Sequence, residues 1–248
     1  MKRIASASLA AAAVVVLALT ASADGTYQAL PYSQDWSNTS MITVNNDWSG
    51  VPGWVGYRGD DLTLVTGTDP QTILVDGSST PVNVTAQGNP STFISGGVLE
   101  ADGIADPVVA FQGSGTADAP HLVLHLNTSG YSSITVSYNL RDVDGAMDNS
   151  VQQVALQYRV GNSGDFTNVP SAYVSDASSG PSLATLVTPV SVILPAAVDN
   201  QSQVQLRFMT TNAVGNDEHV GPDDVSVTGT ATVAVEHKQW STIKSLYN

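Results

Sequence analysis

The chain has 248 residues and no cysteine, which excludes disulfides, a thiol nucleophile and a thiolate zinc site. It carries 22 acidic residues against eight basic ones, a formal net charge of −14. A field of that sign repels phosphate backbones and anionic lipid headgroups, so we expect no nucleic-acid binding by this domain.

Residues 1–23 have the pattern of a secretory signal peptide. A basic start at 1–3 precedes an apolar stretch at 4–19, and a small-x-small site ends at Ala23. The apolar stretch is shorter than the roughly 20 residues that a bilayer span needs, and no later segment is long or apolar enough. We therefore expect cleavage after Ala23 and secretion. The mature chain keeps six basic residues against 22 acidic ones, a formal net charge of −16.

Residues 24–235 alternate between apolar and polar side chains instead of following a helical period. The strand candidates are short, rich in Val, Ile and Thr, and separated by clusters of Gly, Pro, Asn, Asp and Ser. In chain order they are MITVNN, LTLVTG, TILVDG, VNVTA, PVVAFQG, HLVLHLN, SSITVSYNLRDV, VQQVALQYRV, SVILP, SQVQLRFMT and DDVSVTGTATVAV. This pattern predicts one all-β domain, an antiparallel β-sandwich of the jelly-roll type. A tail at 236–248 has a helical spacing of Trp240, Ile243 and Tyr247.

Alternation also predicts which side chains face outward. In the strand at 151–160 the outward set includes Gln157 and Arg159, and in the strand at 202–210 it includes Gln205 and Arg207. We expect these side chains on the solvent-facing side of the sandwich.

Two histidines, His121 and His125, lie four residues apart in HLVLHL. In a strand that spacing spans roughly 13 Å, too far for one shared metal ion. The sequence therefore favours surface or cross-strand histidines over a metal site.

An acidic loop, RDVDGAMDN at 141–149, places Asp142 and Asp144 around a glycine at a strand end. Hard oxygen ligands around a glycine turn are typical of calcium loops, although this is no EF-hand because the twelfth-position Glu and flanking helices are missing. A charged hairpin turn explains the same residues.

A second acidic stretch, NAVGNDEHVGPDDVSVTG at 212–229, precedes the last predicted strand. Asp217 and Glu218 are expected to be solvated turn residues. Asp223 and Asp224 begin the strand, so their side chains should point to opposite faces. The inward one needs a cation or several hydrogen-bond donors, which indicates a bound calcium ion.

Aromatic residues gather early in the mature chain, in DWSGVPGWVGYRGDD. If exposed, the rings of Trp48, Trp54 and Tyr57 could stack on sugar faces and bind a ligand. Alternatively, the rings pack beneath a long loop and close one end of the sandwich.

Four stretches carry a resemblance to a known family: VAFQGSGTADAPHLVLHLNTSG, ITVSYNLRDVDGAMDNSVQQVALQYRVGNSGDFTNVP, LATLVTPVSVILPA and QVQLRFMTTNAVGNDEHVGPDDVSV. In these, the chain resembles secreted bacterial β-sandwich modules found beside extracellular nuclease or phosphatase-type hydrolase domains. GNDEHVGPDDV is also similar to the last strand of jelly rolls that include MAM-type and carbohydrate-binding modules. That resemblance implies a calcium ion between Asp35 and either Asp223 or Asp224. The chain departs from the pattern at His219 and at Pro222, and because proline lacks a ladder donor we expect the strand to begin after Pro222.

Together these features predict an exported, non-catalytic module, stabilised by calcium, that attaches to surfaces or binds a ligand such as a polysaccharide. One alternative is a secreted metal-dependent hydrolase, a nuclease, phosphoesterase or glycosidase, with a site of dispersed Asp and His. Another is a purely structural surface protein.

Overall fold

The computed structural model describes residues 23–93, 95–143, 150–178 and 186–232. The signal sequence up to residue 22, Asp144 of the acidic loop and the 236–248 tail lie outside the described residues. In the described part of the chain, no helix has the length and hydrophobicity needed to cross a bilayer.

Thirteen strands and three short 3₁₀ turns make up the regular structure of the described residues. The strands are β1 (Gln28–Ala29), β2 (Tyr32–Gln34), β3 (Trp54–Tyr57), β4 (Thr85–Gly88), β5 (Gly97–Ala101), β6 (Val108–Gln112), β7 (His121–Asn127), β8 (Tyr131–Asp142), β9 (Ala155–Val160), β10 (Thr167–Asn168), β11 (Leu186–Ile193), β12 (Val204–Met209) and β13 (Val220–Ala231). The 3₁₀ turns are Pro70–Thr72, Pro170–Ala172 and Ala196–Val198.

The last eight strands form two antiparallel sheets with jelly-roll order. Sheet 1 runs β7-β12-β9-β10 and sheet 2 runs β11-β8-β13-β6. Earlier strands extend them: β1 and β3 pair with β7 in sheet 1, while β2, β5 and β4 join sheet 2. The predicted all-β sandwich is confirmed, with parallel pairing only where β1 meets β7 and β4 meets β5.

The hydrophobic core lies between the sheets because the inward positions of the alternating strands are apolar. Aromatic rings fill its centre: Trp54 lies 5.7 Å from Phe208 and 5.2 Å from Trp36 between ring centroids. Gly56 is required beside them, since a Cβ there would come within 2.4 Å of the Trp48 ring.

Three strand predictions are wrong: the segments at 41–46, 62–67 and 72–77 are turns and loops. Instead of pairing in a ladder, Ile42 packs in the main core, and Ile73 and Leu62 pack with Ala119 and Met209 on the outside of sheet 1. A short apolar run does not by itself distinguish these two uses.

The start of the last strand was also predicted wrongly, because β13 begins at Val220 and contains Pro222. On one side Pro222 faces Leu140 of β8. On the other side β13 pairs with β6 at Val220 and with β2 from Val225 onward, so Pro222 lies in the gap between them. The missing N–H of proline therefore costs no ladder bond with β6 or β2.

Candidate ligand-binding site

The outer face of sheet 1 carries rows of polar side chains set by strand register. One row runs across three strands as His125, Gln205 and Arg159. The next row contains Arg207 and Gln157. We call the first the open row, because it lines a pocket, and the second the covered row, because a loop segment lies over it.

A segment of the connection between β3 and β4, residues 70–78, crosses the outer face of sheet 1, and we call it the strap. Beneath it Arg207, Gln157 and His121 have no exposed surface. The strap passes close to His121: a Cβ at Gly77, whose φ is +74°, would lie 2.9 Å from the imidazole ring. Glycine is therefore needed at this position both for its backbone conformation and for space.

Arg207 fastens the strap to the sheet. Its guanidinium donates hydrogen bonds to the carbonyls of Ile73 (2.6 Å), Val75 (2.7 Å) and Asp76 (3.2 Å), and Nε donates to Gln157 (2.7 Å). Burial, with a further contribution from nearby Arg159, lowers the pKa of Arg207 to about 9, so the side chain stays charged at neutral pH.

Further hydrogen bonds attach the strap along its length. Gln157 donates to the carbonyls of Pro70 (3.2 Å) and Ile73 (3.1 Å). The Phe166 backbone N–H donates to Leu74 O at 2.7 Å. The Phe166 ring also packs against two guanidinium groups, 4.0 Å from Arg207 and 4.4 Å from Arg159. The strap is thus a fixed part of the fold.

The open row is also largely buried, with exposures of 8% for His125, 6% for Arg159 and 4% for Gln205, but its side chains line a pocket of about 110 Å³ that the strap does not fill. Its lining consists of Tyr57, Asp76, Ser78, Val123, His125, Arg159, Asn162 and Gln205. The pocket therefore combines hydrogen-bond donors, acceptors and one aromatic ring, which is the kind of lining that fixes a small polar ligand.

Arg159 is the central donor in this pocket. It donates to Gln205 Oε1 (2.8 Å) and to Gly164 O (2.7 Å), which fixes the orientation of its guanidinium. Asp76 Oδ1 is buried and forms an ion pair with Arg159 Nη1 at 2.8 Å, while the Asp76 side chain as a whole is 36% exposed. The pair therefore places a cation beside a carboxylate that is partly open to solvent.

The two histidines on β7 lie on the outer face, and both are buried, contrary to the surface position expected for them. Each imidazole Nδ1 hydrogen bonds to a carbonyl, His121 to Ala119 O (2.9 Å) and His125 to Gly53 O (3.0 Å). Burial lowers the pKa of His121 to about 3 and also lowers the pKa of His125. Both are neutral at pH 7.

The three aromatic residues predicted to bind a ligand lie in different environments. Tyr57 lines the pocket, half-buried, with one ring face stacked on His121 at a centroid distance of 5.2 Å. Trp48 and Trp54 are fully buried in the core. The two tryptophans therefore offer no ring face to a ligand and match the packing alternative.

The residues predicted to bind calcium are also separated. Asp35 is exposed and accepts hydrogen bonds from Ser37 in a local turn. Asp223 is buried and pairs with Arg141 at 2.7 Å, whereas Asp224 is exposed and accepts from Asn139 at 2.9 Å. One carboxylate is buried and the other exposed, but the strict alternation behind the prediction does not hold: Asp224 (φ +50°) lies at a register shift in β13, and the two acids contact side chains two residues apart on one face of β8. The buried one faces a guanidinium.

Asp142 is buried at the end of β8. Among residues 23–93, 95–143, 150–178 and 186–232, no three His, Asp or Glu are placed to hold one ion. The geometry gives no support to a calcium ion held by Asp35 with Asp223 or Asp224. A calcium site at the Asp142–Asp144 loop stays a prediction, since Asp144 is outside the described residues.

Asp217 and Glu218 are not the solvated turn residues that the sequence suggested. Glu218 is fully buried, and Asp217 Oδ1 accepts from the Ala213 backbone N–H at 2.6 Å. Burial raises the pKa of Asp217 to about 6. These acids belong to the packed end of the sandwich.

Several pocket residues were not identified from the sequence as site residues, namely Asp76, Ser78, Arg159, Asn162 and Gln205. Arg159 and Gln205 were recognised only as outward-facing. A usable signal was available, because only four basic residues occur between positions 24 and 232 and three of them, Arg141, Arg159 and Arg207, take outward positions on predicted strands.

Comparisons with known proteins give a fold-level likeness only. The sequence matches no protein-family model and no curated protein. Among solved structures it is similar to the xylan-binding module CBM15, with 13% identity, a TM-score of 0.38, and coverage of 77% of this chain and 97% of that one. It is also similar to CBM28, a carbohydrate-binding module specific for non-crystalline cellulose (14% identity, TM-score 0.37, coverage 60% and 99%), and to the K2 adhesin domain of Lys-gingipain (14% identity, TM-score 0.39, coverage 80% and 98%). Likeness at this level identifies neither family nor ligand, so the pocket is judged on its own geometry.

Proposed function

We propose that this chain is a non-catalytic β-sandwich module that binds a carbohydrate in the pocket on the outer face of sheet 1. The observation that carries the proposal is the arrangement of Arg159, Asp76 and Tyr57 at one opening. A sugar hydroxyl both donates and accepts hydrogen bonds, so it suits a guanidinium donor beside a partly exposed carboxylate.

Charge and composition support the same ligand class. The pocket sets one carboxylate, Asp76, against one guanidinium, Arg159. The two flanking histidines on this face are neutral at pH 7, because burial lowers their pKa values. A neutral, hydroxyl-rich ligand loses little by entering such a site, whereas an isolated charge would be desolvated without a matched partner.

Export and surface attachment complete the proposal. The N-terminal pattern at 1–23 supports secretion, and a secreted sugar-binding module would hold its protein or cell on a polysaccharide. Mass spectrometry of the secreted protein tests this part: we expect an N-terminus at Asp24, and a retained Met1 in the culture medium would contradict cleavage.

Binding is tested with the mature chain, residues 24–248, on soluble polysaccharides by affinity electrophoresis and on the corresponding oligosaccharides by calorimetry. We expect Tyr57→Ala and Asn162→Ala each to weaken binding by about tenfold, since each removes one contact worth about 1.4 kcal/mol. Ser191→Ala on the outer face of sheet 2 is the matched control and should bind like the unmodified chain.

Two results would contradict the proposal. An affinity left unchanged by both pocket substitutions would place the ligand elsewhere, and absence of binding to every glycan would reject carbohydrate as the ligand class. Release of new reducing ends during incubation would contradict the non-catalytic role.

For calcium, we propose a stabilising ion at the Asp142–Asp144 loop only. The two acidic stretches meet there: Asp142 is paired with Val220, and the Val143 N–H donates to His219 O at 2.9 Å. Ligand binding to the folded state raises the melting temperature by mass action. Equal melting in calcium and in chelator would remove this part of the proposal and leave carbohydrate binding unaffected.

A further inference from the structure

The shape of the pocket restricts which part of a glycan can enter, and this inference rests on the proposed function. At about 110 Å³ the pocket is well below the roughly 300–1,000 Å³ of sites for drug-sized ligands. It is large enough for part of one sugar unit and too small for several.

The pocket is closed on the strap side. Asp76 and Ser78 form its wall there. Beyond them the polar face of sheet 1 continues beneath the strap, where Arg207 and Gln157 have no exposed surface. An extended chain following the sheet would therefore meet the strap directly after the open row.

The sides of the pocket away from the strap are also bounded by side chains. Asn162, in the turn after β9, lines the pocket next to Arg159. On the β7 side, the Tyr27 ring stands edge-on to His125 at a centroid distance of 5.3 Å, and its hydroxyl accepts from Gln205 at 3.3 Å. The open row thus forms a short recess with walls and does not continue as a groove.

The strap does not have the contacts of a movable lid. Its carbonyls at Ile73, Val75 and Asp76 accept hydrogen bonds from the buried Arg207 guanidinium. Opening it would leave a buried cation and several peptide groups without their partners, which is costly. The wall therefore persists when a ligand binds.

We propose that the pocket recognises the terminal unit of a glycan chain and excludes internal units. An internal unit has a neighbour on each side and needs two exits from the site, whereas a terminal unit needs one. The recess gives one exit, towards solvent.

The experiment compares one polysaccharide that binds at a series of average chain lengths, prepared by partial acid hydrolysis and size fractionation. Calorimetry measures the number of binding sites per gram and the affinity per site for the mature chain. We expect sites per gram to rise in proportion to the number of chain ends, with affinity per site unchanged within about threefold. The free monosaccharide should bind within about tenfold of the polymer.

A constant number of sites per gram, with affinity increasing over several sugar units, would overturn terminal recognition while leaving carbohydrate binding intact. Absence of binding at every length would instead reject the proposed function itself. Tyr57→Ala should weaken binding by about tenfold at every chain length, and Ser191→Ala should change neither the affinity nor the dependence on chain ends. An end-dependent signal of unchanged affinity in Tyr57→Ala would place end recognition outside this pocket and would also overturn the inference.

Discussion

The outer faces of the two sheets are built from the same alternation of apolar and polar residues, yet they have opposite environments. On sheet 2 the outward residues Ser137 and Ser191 hydrogen bond to each other at 2.8 Å in an exposed surface. On sheet 1 the outward residues Gln157 and Arg207 are completely buried. The difference arises from the strap, which covers one face and not the other.

A polar residue at an outward position of a strand is therefore not necessarily exposed to solvent. Arg207 is buried because the strap supplies carbonyl acceptors for its guanidinium. Buried polar groups persist where their hydrogen bonds are satisfied. Sheet 1 therefore has a second, polar layer of packing outside its hydrophobic core, and the pocket is the place where that layer stops.

The largest expected effect comes from removing the guanidinium that fastens the strap. Arg207→Met should lower the free energy of unfolding by about 3 kcal/mol, because three carbonyls lose a charged donor. The relief of a buried charge offsets part of this loss. Thermal melting measures the effect, at about 2–4 °C for each kcal/mol in a domain of this size. An unchanged melting temperature would show that the strap does not depend on Arg207.

A smaller effect is expected from pH through His121. Its folded-state pKa of about 3 lies below the ordinary value of 6.5. Between these two pH values the imidazole is therefore protonated in the unfolded chain and neutral in the folded chain. Stability should therefore fall as pH falls below 6.5, by on the order of 2 kcal/mol at pH 5. His121→Phe should remove this part of the slope when melting is followed from pH 7 to pH 4. The same slope in both proteins would assign it to other groups.

Neutralising Asp76 should lower the free energy of unfolding less than removing the Arg207 guanidinium does. The Asp76–Arg159 pair is at the pocket rim and the Asp76 side chain is 36% exposed. We expect Asp76→Asn to cost less than about 1 kcal/mol, as is usual for ion pairs open to water. Chemical denaturation resolves this difference. A loss as large as that of Arg207→Met would mean that the ion pair, and not the carbonyl bonds, holds the strap.

The smallest effect is expected on the uncovered face. Ser137→Ala and Ser191→Ala should each change the free energy of unfolding by less than about 0.5 kcal/mol, because both hydroxyls can bond to water when their partner is lost. Melting of the two single variants and the double variant provides the check. A loss above 1 kcal/mol would remove the distinction between the two faces.

Much of the fold could be predicted from the sequence, because alternation in β7, β8, β9 and β12 reports directly which residues face the core. The segment TILVDG shows where such reasoning fails. Its apolar residues satisfy a strand pattern, yet Ile73 packs on the outside of sheet 1 and its carbonyl accepts from Arg207. The local pattern of apolar residues does not specify whether a segment pairs as a strand of a sheet or packs across the face of a sheet.

The candidate site was predicted in part. Tyr57 was identified because aromatic residues with polar neighbours are suited to sugars, and it lines the pocket. Trp48 and Trp54 share the same stretch, but Gly56 makes room for Trp48 to pack inside the sandwich. The face on which a ring ends depends on such neighbours, which are distant contacts and not local sequence.

By itself the sequence determined the all-β class and the alternation that defines two faces on each strand. These are consequences of the two-residue repeat of a strand, which is local. Only the tertiary structure decided that Asp223 meets Arg141, 82 positions away along the chain, and that Asp76 meets Arg159 beside Tyr57. Such pairs depend on strand order and on the path of a loop across a sheet, and neither is encoded in the spacing of neighbouring residues.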